Sequence, residues 1–212
     1  MRVVCASDLH EHLVDIPECD LLLLGGDLTF AFGGSRDKRG WLENEFAEWL
    51  DHVPAREVVA VAGNHDRDIE ADGFPDGLRC HYLEDAAIEL LGLTIWGTPW
   101  QPWFHDWAFN APRVDGERFL AGRFAAIPRG TDIVLAHGPP LGYGDRLRTG
   151  SRAGSSAEVE LIDRVEPRLL ACGHIHSDAG RWQRGRTEIV NASIVDDSYE
   201  LARDVVVLDW PA

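Results

Sequence analysis

Aspartate, asparagine and histidine side chains recur in this sequence directly after short apolar runs, and most of them stand beside glycine. Carboxylate, imidazole and amide oxygen groups suit zinc, manganese or iron, and no thiolate accompanies them. The sequence therefore predicts a metal centre built from nitrogen and oxygen donors. The candidate ligands are Asp8, His10, Asp27, Asn64, His137, His174 and His176.

The spacing of these residues indicates how they could share two ions. Asp8 and His10 are separated by one residue, and so are His174 and His176. Side chains at such a spacing point to the same side of an extended chain. The carboxylate of Asp27 can bridge two ions about 3.5–4 Å apart, which is the separation used for phosphoryl transfer. We therefore expect a dinuclear centre with Asp27 at its middle.

Strands must deliver these residues to one place. Apolar runs at 2–6, 20–24, 57–62, 132–136 and 168–172 each end just before a candidate block. In α/β sheets, ligands bind at the carboxyl edge of the strands. Helices are predicted at 41–53, 116–126 and 155–165, the last opened by a capping box of Ser155 and Glu158. A hairpin or a bent strand is predicted around Gly92, and a final antiparallel set at 181–192 and 204–210. Together these elements predict one mixed, layered α/β domain over residues 1–212.

Each candidate has an ordinary alternative when it is taken alone. His137 could be a core or surface histidine, and Asn64 and Asp27 could be turn or cap residues. Four other histidines repeat no part of the pattern and are read as ordinary side chains: His12, His52, His81 and His105. The joint order of the blocks is what favours a metal site.

The order Asp-x-His, Gly-Asp, Gly-Asn-His-Asp, His-Gly, Gly-His-x-His resembles the calcineurin-like metallophosphoesterase superfamily, from Asp8 to about Ser193. Residues 95–104, 137–142 and 190–193 are similar to a branch called metallophosphoesterase-domain-containing proteins, which is associated with hydrolysis of phosphodiesters, including cyclic nucleotides. The resemblance implies an α/β, calcineurin-like layered sandwich in which two mixed β-sheets pack together and are flanked by helices.

The resemblance also implies roles for the site residues. One divalent ion (manganese, iron or zinc) would be held by Asp8, His10, Asp27 and His176, and a second by Asp27, Asn64, His137 and His174. A hydroxide bridging the two ions would attack phosphorus. His65 would be catalytic, protonating the leaving group without binding metal.

The chain departs from the Ser/Thr protein phosphatases of that superfamily, which continue Gly-Asp-x-x-Asp-Arg-Gly after the bridging aspartate. Here Asp27 is followed by Leu28, Thr29, Phe30, Ala31 and Phe32. The second acid and the phosphate-holding arginine are missing, so protein phosphatase activity is not expected. Two divalent ions with two aspartates and a hydroxide leave a charge near +1, which favours a phosphodiester substrate over a monoester dianion.

Six aromatic residues crowd the segment from Trp96 to Phe109. They could pack in the core or in a dimer contact. Alternatively, Trp100 and Trp103 could stack a nucleobase, which is worth about 1–3 kcal/mol per base. His105 could add a polar contact to such a substrate.

The net charge of the chain limits the classes of molecule that it is expected to bind. The net charge is −16, from 36 acidic and 20 basic residues. Such a surface repels nucleic acid and anionic membranes. No apolar run approaches a membrane span and no signal peptide is recognisable, so we expect a cytoplasmic enzyme with a small-molecule phosphoester substrate. A homo-oligomer stays open, as do a monoesterase, a nuclease with the same site, and a non-catalytic scaffold.

Overall fold

Two β-sheets pack face to face in the computed structural model, which describes residues 1–31 and 37–210. The first sheet has the order β11-β1-β2-β3-β4, and only β11 is antiparallel to its neighbour. Both sheets are mixed, which confirms the predicted architecture. The strands of the first sheet are β1 (Arg2–Ala6), β2 (Cys19–Gly25), β3 (Ala55–Val61), β4 (His81–Tyr82) and β11 (Val206–Asp209).

The second sheet has the order β5-β6-β7-β8-β10-β9, with antiparallel strands at both edges. Its central strands β6, β7, β8 and β10 run parallel. The predicted hairpin around Gly92 is present as β5 and β6. The strands are β5 (Ala86–Leu90), β6 (Leu93–Thr98), β7 (Ile133–Ala136), β8 (Leu169–Cys172), β9 (Gly180–Arg184) and β10 (Thr187–Asn191).

The main core lies between the sheets, and alternate residues of each central strand enter it. Val3 of β1 and Leu23 of β2 belong to the same buried cluster as Ile95 and Leu135 of the second sheet. Val4, the next residue along β1, instead packs in a cluster beneath the helices. Burial on both faces explains why these strands read as continuous apolar runs.

Helices cover the outer faces. The predicted helix 41–53 is a run of three segments, in which a π-helical turn interrupts the α-helix. The Ser155 hydroxyl accepts a hydrogen bond from the Glu158 amide at 3.3 Å, which confirms Ser155 as the N-cap. The Ser155 amide donates to the Pro139 carbonyl and not to the Glu158 side chain, so the reciprocal half of the predicted capping box is not formed. No helix among the described residues has the length and apolarity that a membrane span requires. The helices are α1 (Lys38–Trp41), the π turn Leu42–Phe46, α2 (Ala47–His52), α3 (Arg67–Asp72), α4 (Gly116–Phe124), α5 (Ser156–Val165) and a 3-10 turn at His176–Asp178.

The predicted final antiparallel set is wrong in its pairing. β9 and β10 form the expected hairpin, but β10 runs parallel to β8, and β11 crosses to the other sheet to pair with β1. Alternating apolar residues identify a strand but carry no record of its partner. The short elements β4 and α3 were not predicted. Phe32, the last position compared with the protein phosphatases, lies outside the described residues.

Loops after the parallel strands join the two sheets at one edge. The Ser7 amide donates to the Ala192 carbonyl at 2.9 Å, which links the end of β1 to the end of β10. Within each sheet, the Asp8 amide donates to Gly26 and the Gly173 amide to His137. These bonds hold the predicted ligand loops of both sheets against one another.

Candidate metal centre

The predicted ligands all lie in loops that follow parallel strands. The loop after β1 carries Asp8 and His10, and those after β2 and β3 carry Asp27 and Asn64. The backbone is left-handed at Asp8 (φ 59°), His10 (φ 42°) and Asp27 (φ 51°). Such conformations cost about 1–3 kcal/mol in residues other than glycine, and they cluster at functional sites. The second sheet contributes His137 after β7, and His174 and His176 after β8.

Two glycines let these loops approach closely. A Cβ atom at Gly63 would stand 2.3 Å from Oδ1 of Asp27, and one at Gly173 would stand 2.3 Å from Oδ2 of Asp8. Neither distance is compatible with a real side chain. The glycines of the Gly-Asn-His-Asp and Gly-His-x-His motifs are therefore required for the carboxylates to hold their positions.

Asp27 lies between two groups of histidines. Its Oδ2 is 3.7 Å from Nε2 of His10, and its Oδ1 is 3.5 Å from Nε2 of His137. Oδ1 also accepts a hydrogen bond from the His65 amide at 2.7 Å, which fixes the carboxylate plane. Each oxygen thus faces a different group, as a carboxylate that bridges two ions must.

The first group consists of Asp8, His10 and His176. Nε2 of His176 is 3.4 Å from Nε2 of His10 and 3.4 Å from Oδ1 of Asp8. Ligands at about 2.0–2.2 Å from a shared metal stand roughly 3–3.5 Å apart. The separations in this group therefore fit one divalent ion.

The second group consists of Asn64 and His137 together with Asp27. His137 donates from Nδ1 to the Gly25 carbonyl at 2.9 Å, so Nε2 of the neutral ring carries a lone pair. That nitrogen faces Oδ1 of Asn64 at 2.9 Å and Oδ1 of Asp27 at 3.5 Å. Three electron-pair donors converge without a proton between them, which is an arrangement that a cation satisfies.

His174 lies beside the second group but is less closely engaged. Its ring centroid is 5.0 Å from that of His137, and its amide donates to the Asp8 carboxylate at 3.0 Å. Among the described residues, three sets of histidine and carboxylate donor atoms lie within 4.8 Å of one another, and none of these sets contains His174. Its predicted ligand role therefore stays a prediction.

Backbone carbonyls orient two of the imidazoles. His176 donates from Nδ1 to the Asp196 carbonyl at 3.0 Å, just as His137 donates to Gly25. A carbonyl on one ring nitrogen directs the lone pair of the other nitrogen outward, which is how metal-binding histidines are usually held. Both rings therefore present Nε2 to the centre.

Burial sets the protonation of the site. It raises the pKa of Asp27 well above its usual value, and the nearby charges of Asp8 and Asp66 raise it further. Burial also lowers the pKa of His10 and of His137, which keeps both rings neutral. For Asp8, burial is outweighed by the hydrogen bond and charge of His176, and the pKa falls. Neutral imidazoles around buried carboxylates suit divalent cations.

His65 has a different hydrogen-bond pattern from the predicted ligands. Its Nδ1 accepts a hydrogen bond from the Ala31 amide at 3.2 Å, so Nε2 carries the proton. Nε2 lies 3.9 Å from Oδ2 of Asp27, close enough for His65 to group with metal donors. Burial lowers the pKa of His65 to about 3. In this tautomer Nε2 is a hydrogen-bond donor, and the expectation that His65 does not bind metal stays a prediction.

Asp66 is a structural residue that the sequence analysis missed. Its buried carboxylate accepts hydrogen bonds from the amides of Gly63, Leu28 and Thr29 and from the Thr29 hydroxyl, at 2.8–3.1 Å. Burial raises the pKa of Asp66 to about 6 against the lowering effect of these bonds. The residue ties the loop of Asp27 to the loop of Asn64. Its place at the end of Gly-Asn-His-Asp was the available signal.

A cavity of about 250 Å³ opens onto the centre. Trp103, predicted as a substrate contact, lines this cavity and is 44% exposed. Phe104, Trp107 and Tyr199 also line it, although the sequence analysis did not select them. Trp107 lies edge-on to His65 with ring centroids 4.3 Å apart.

Trp100 and His105, which were also predicted as substrate contacts, do not line this cavity. Trp100 donates from Nε1 to Asp85 at 3.0 Å, and the Arg123 guanidinium covers its ring at 4.1 Å. Its ring therefore packs against the protein and does not face the cavity. His105 is exposed and rests against Phe104 with ring centroids 4.5 Å apart. Spacing alone could not show which rings of the segment faced inward.

Residues 1–178 match the calcineurin-like phosphoesterase family. The chain is 33% identical to metallophosphoesterase domain-containing protein 1 of Homo sapiens, over 99% of this chain and 71% of that protein. It is 40% identical to a UPF0046 protein of Caenorhabditis elegans, over 100% of this chain and 60% of that protein.

A structure of phosphopantetheinyl hydrolase from Mycobacterium tuberculosis shares the fold at 14% identity, with a TM-score of 0.60 over 93% of this chain and 90% of that chain. The donor groups around Asp27 and these similarities agree with one another. The chain belongs to the calcineurin-like phosphoesterase family.

Proposed function

We propose that the chain hydrolyses small-molecule phosphodiesters, with cyclic nucleotides as candidate substrates, at a dinuclear metal centre. The observation that carries this proposal is the position of Asp27, which directs Oδ2 to His10 and Oδ1 to His137. A carboxylate whose two oxygens face different donor groups is suited to bridging two metal ions. The family membership supports a metal-dependent phosphoesterase in general terms.

The proposed ligands combine this geometry with the resemblance to the family, which alone supplies His174. Asp8, His10, Asp27 and His176 would hold one ion, and Asp27, Asn64, His137 and His174 the other. Two divalent ions at such a site supply charge that polarises a phosphoryl oxygen and acidify water at neutral pH. The donor set of nitrogen and oxygen atoms fits manganese, iron or zinc.

His65 would act on the leaving group. The Ala31 amide fixes its tautomer, and the proton on Nε2 lies next to Asp27 and on the cavity wall. From there Nε2 can donate to the ester oxygen that departs. Such a donor lowers the barrier because it stabilises the charge that develops on that oxygen.

The substrate class is argued from charge and size. Two divalent ions with the carboxylates of Asp8 and Asp27 and one hydroxide would leave a site that one phosphodiester charge nearly neutralises. The cavity of about 250 Å³ suits a small ester, and its aromatic walls suit a flat, apolar group. A net charge of −16 disfavours a nucleic acid substrate.

A hydrolysis screen tests the proposal. Purified protein loaded with manganese, iron or zinc would be given cyclic nucleotides, linear diesters and monoesters. We expect turnover of diesters with at least one of these metals. A preference for monoesters would make the chain a phosphomonoesterase, cleavage of polynucleotides would make it a nuclease, and no turnover of any ester would indicate a scaffold.

A further inference from the structure

Tyr199 lies on the cavity wall, in a loop that none of the metal-binding motifs contains. The residue is half-buried, and its ring stands edge-on to His10, with centroids 4.8 Å apart at an interplanar angle of 87°. The rings of His176 and His65 are 5.4 and 5.5 Å away. Tyr199 is thus next to both the first group of donors and the proposed proton donor.

The backbone at Tyr199 is strained and firmly held. Its φ is +63°, in the left-handed region that a tyrosine adopts at a cost of about 1–3 kcal/mol. The Tyr199 amide donates to the Asp196 carbonyl at 2.9 Å, and the Tyr199 carbonyl lies 2.9 Å from Nε2 of His12. The Asp196 side chain accepts bonds from the amides of Ser198 and Glu200. These hydrogen bonds therefore fix the position of the Tyr199 ring.

The hydroxyl of Tyr199 differs from those of the other two tyrosines. Tyr82 donates to Glu84 at 3.2 Å, and the hydroxyl of Tyr143 accepts from Arg184 at 3.2 Å. Within residues 1–31 and 37–210, the hydroxyl of Tyr199 has no hydrogen-bond partner. A phenylalanine would cover His10 equally well, so packing does not account for the hydroxyl. A phenol that is half-buried usually finds a partner.

We propose that the Tyr199 hydroxyl donates a hydrogen bond to a non-bridging phosphoryl oxygen of the bound ester. The inference rests on the proposed function, because it assumes that the cavity binds a phosphoester. A phenol is a donor at neutral pH, and phosphoryl oxygens are strong, charged acceptors. The contact would orient the phosphoryl group over the first group of donors, beside the Nε2 proton of His65.

Substitution of Tyr199 by phenylalanine tests this contact, with Tyr82→Phe as a matched control on the distant strand β4. Binding of inorganic phosphate to each manganese-loaded protein would be measured by calorimetry, together with metal content and with kcat and KM for a diester. We expect Tyr199→Phe to weaken phosphate binding about tenfold, because a hydrogen bond to a charged acceptor is lost. Metal content should stay at the wild-type value, and Tyr82→Phe should bind phosphate normally.

Several results would overturn the contact: no phosphate binding by the wild type, equal affinities in all three proteins, equal losses in both variants, or loss of metal in Tyr199→Phe. The outcome is separable from the proposed function. Hydrolysis of diesters with unchanged phosphate affinity in Tyr199→Phe would refute the contact alone. Weakened phosphate binding in a protein that hydrolyses no ester would support the contact and refute the function.

Discussion

The Ala31 amide donates a hydrogen bond to Nδ1 of His65 over 3.2 Å. This one bond assigns the proton to Nε2, on the side of the ring that faces Asp27 and the cavity. It separates His65 from His137 and His176, whose Nδ1 atoms donate to carbonyls and whose Nε2 atoms carry lone pairs. Backbone groups thus favour opposite tautomers for His65 and for His137 and His176.

His65→Ala should reduce turnover in a way that depends on the leaving group. A nitrophenolate departs without assistance, whereas the charge that develops on a departing alkoxide is stabilised by a hydrogen bond from Nε2 of the neutral ring, so the loss of kcat should be small for the first. For an alkyl ester it should reach about 10²–10⁴-fold. Rates for both esters and metal content would be measured in the variant and the wild type. Equal losses on the two esters would contradict the donor role, and loss of an ion would make His65 a ligand.

Asp27→Ala should remove both ions, because each oxygen of Asp27 faces one donor group. His10→Ala should mainly weaken the site formed with Asp8 and His176. Elemental analysis after dialysis against limiting manganese would distinguish the two variants. Full occupancy of both sites in Asp27→Ala would show that this carboxylate does not bridge.

Asp66→Ala should lower the free energy of unfolding by about 2–4 kcal/mol, since it leaves three buried amides without an acceptor and the Thr29 hydroxyl with only the His65 carbonyl at 3.5 Å. Metal affinity should fall as well, because the hydrogen bonds of Asp66 no longer link the loop of Asp27 to the loop of Asn64. Denaturant unfolding would be compared with Asp76→Ala, a substitution at an exposed aspartate. Equal stability of the two variants would contradict this role.

Trp103→Ala should affect substrate binding, whereas Trp100→Ala should affect thermal stability. Trp103 lines the cavity, so its loss should raise KM for a nucleotide diester and leave KM for a simple aliphatic diester unchanged. Trp100 packs against Phe119 and Arg123, so its loss should lower thermal stability and leave both KM values near those of the wild type. An equal KM increase on both diesters in Trp103→Ala would argue against base stacking.

The positions of the predicted ligands could be read from the sequence because each follows an apolar run. His137 comes directly after a buried parallel strand, Asp8 and Asp27 each follow such a strand after one intervening residue, and such strand ends gather at one edge. The local pattern therefore contained the information about where these side chains would meet. The order of the motifs then supplied the family and, with it, the fold.

Features set by distant partners could not be read in this way. Tyr199 is held through His12, which is 187 residues away in the chain, and nothing local to either residue records that contact. β11 could have paired with any exposed strand edge, and it joins β1 at the far end of the sequence. In the aromatic segment, Trp100 and Trp103 have similar neighbours, but only Trp103 lines the cavity. In each case tertiary packing decided the outcome.

Titration of metal-stripped protein with manganese, while hydrolysis of a chromogenic phosphodiester is followed, tests the dinuclear centre most directly. Two ions should bind per chain, and the rate should rise with the second, because both donor groups around Asp27 are needed. The matching monoester should be cleaved with a lower kcat/KM under the same conditions. Full activity with one ion per chain, or no diester hydrolysis with two ions bound, would contradict the account.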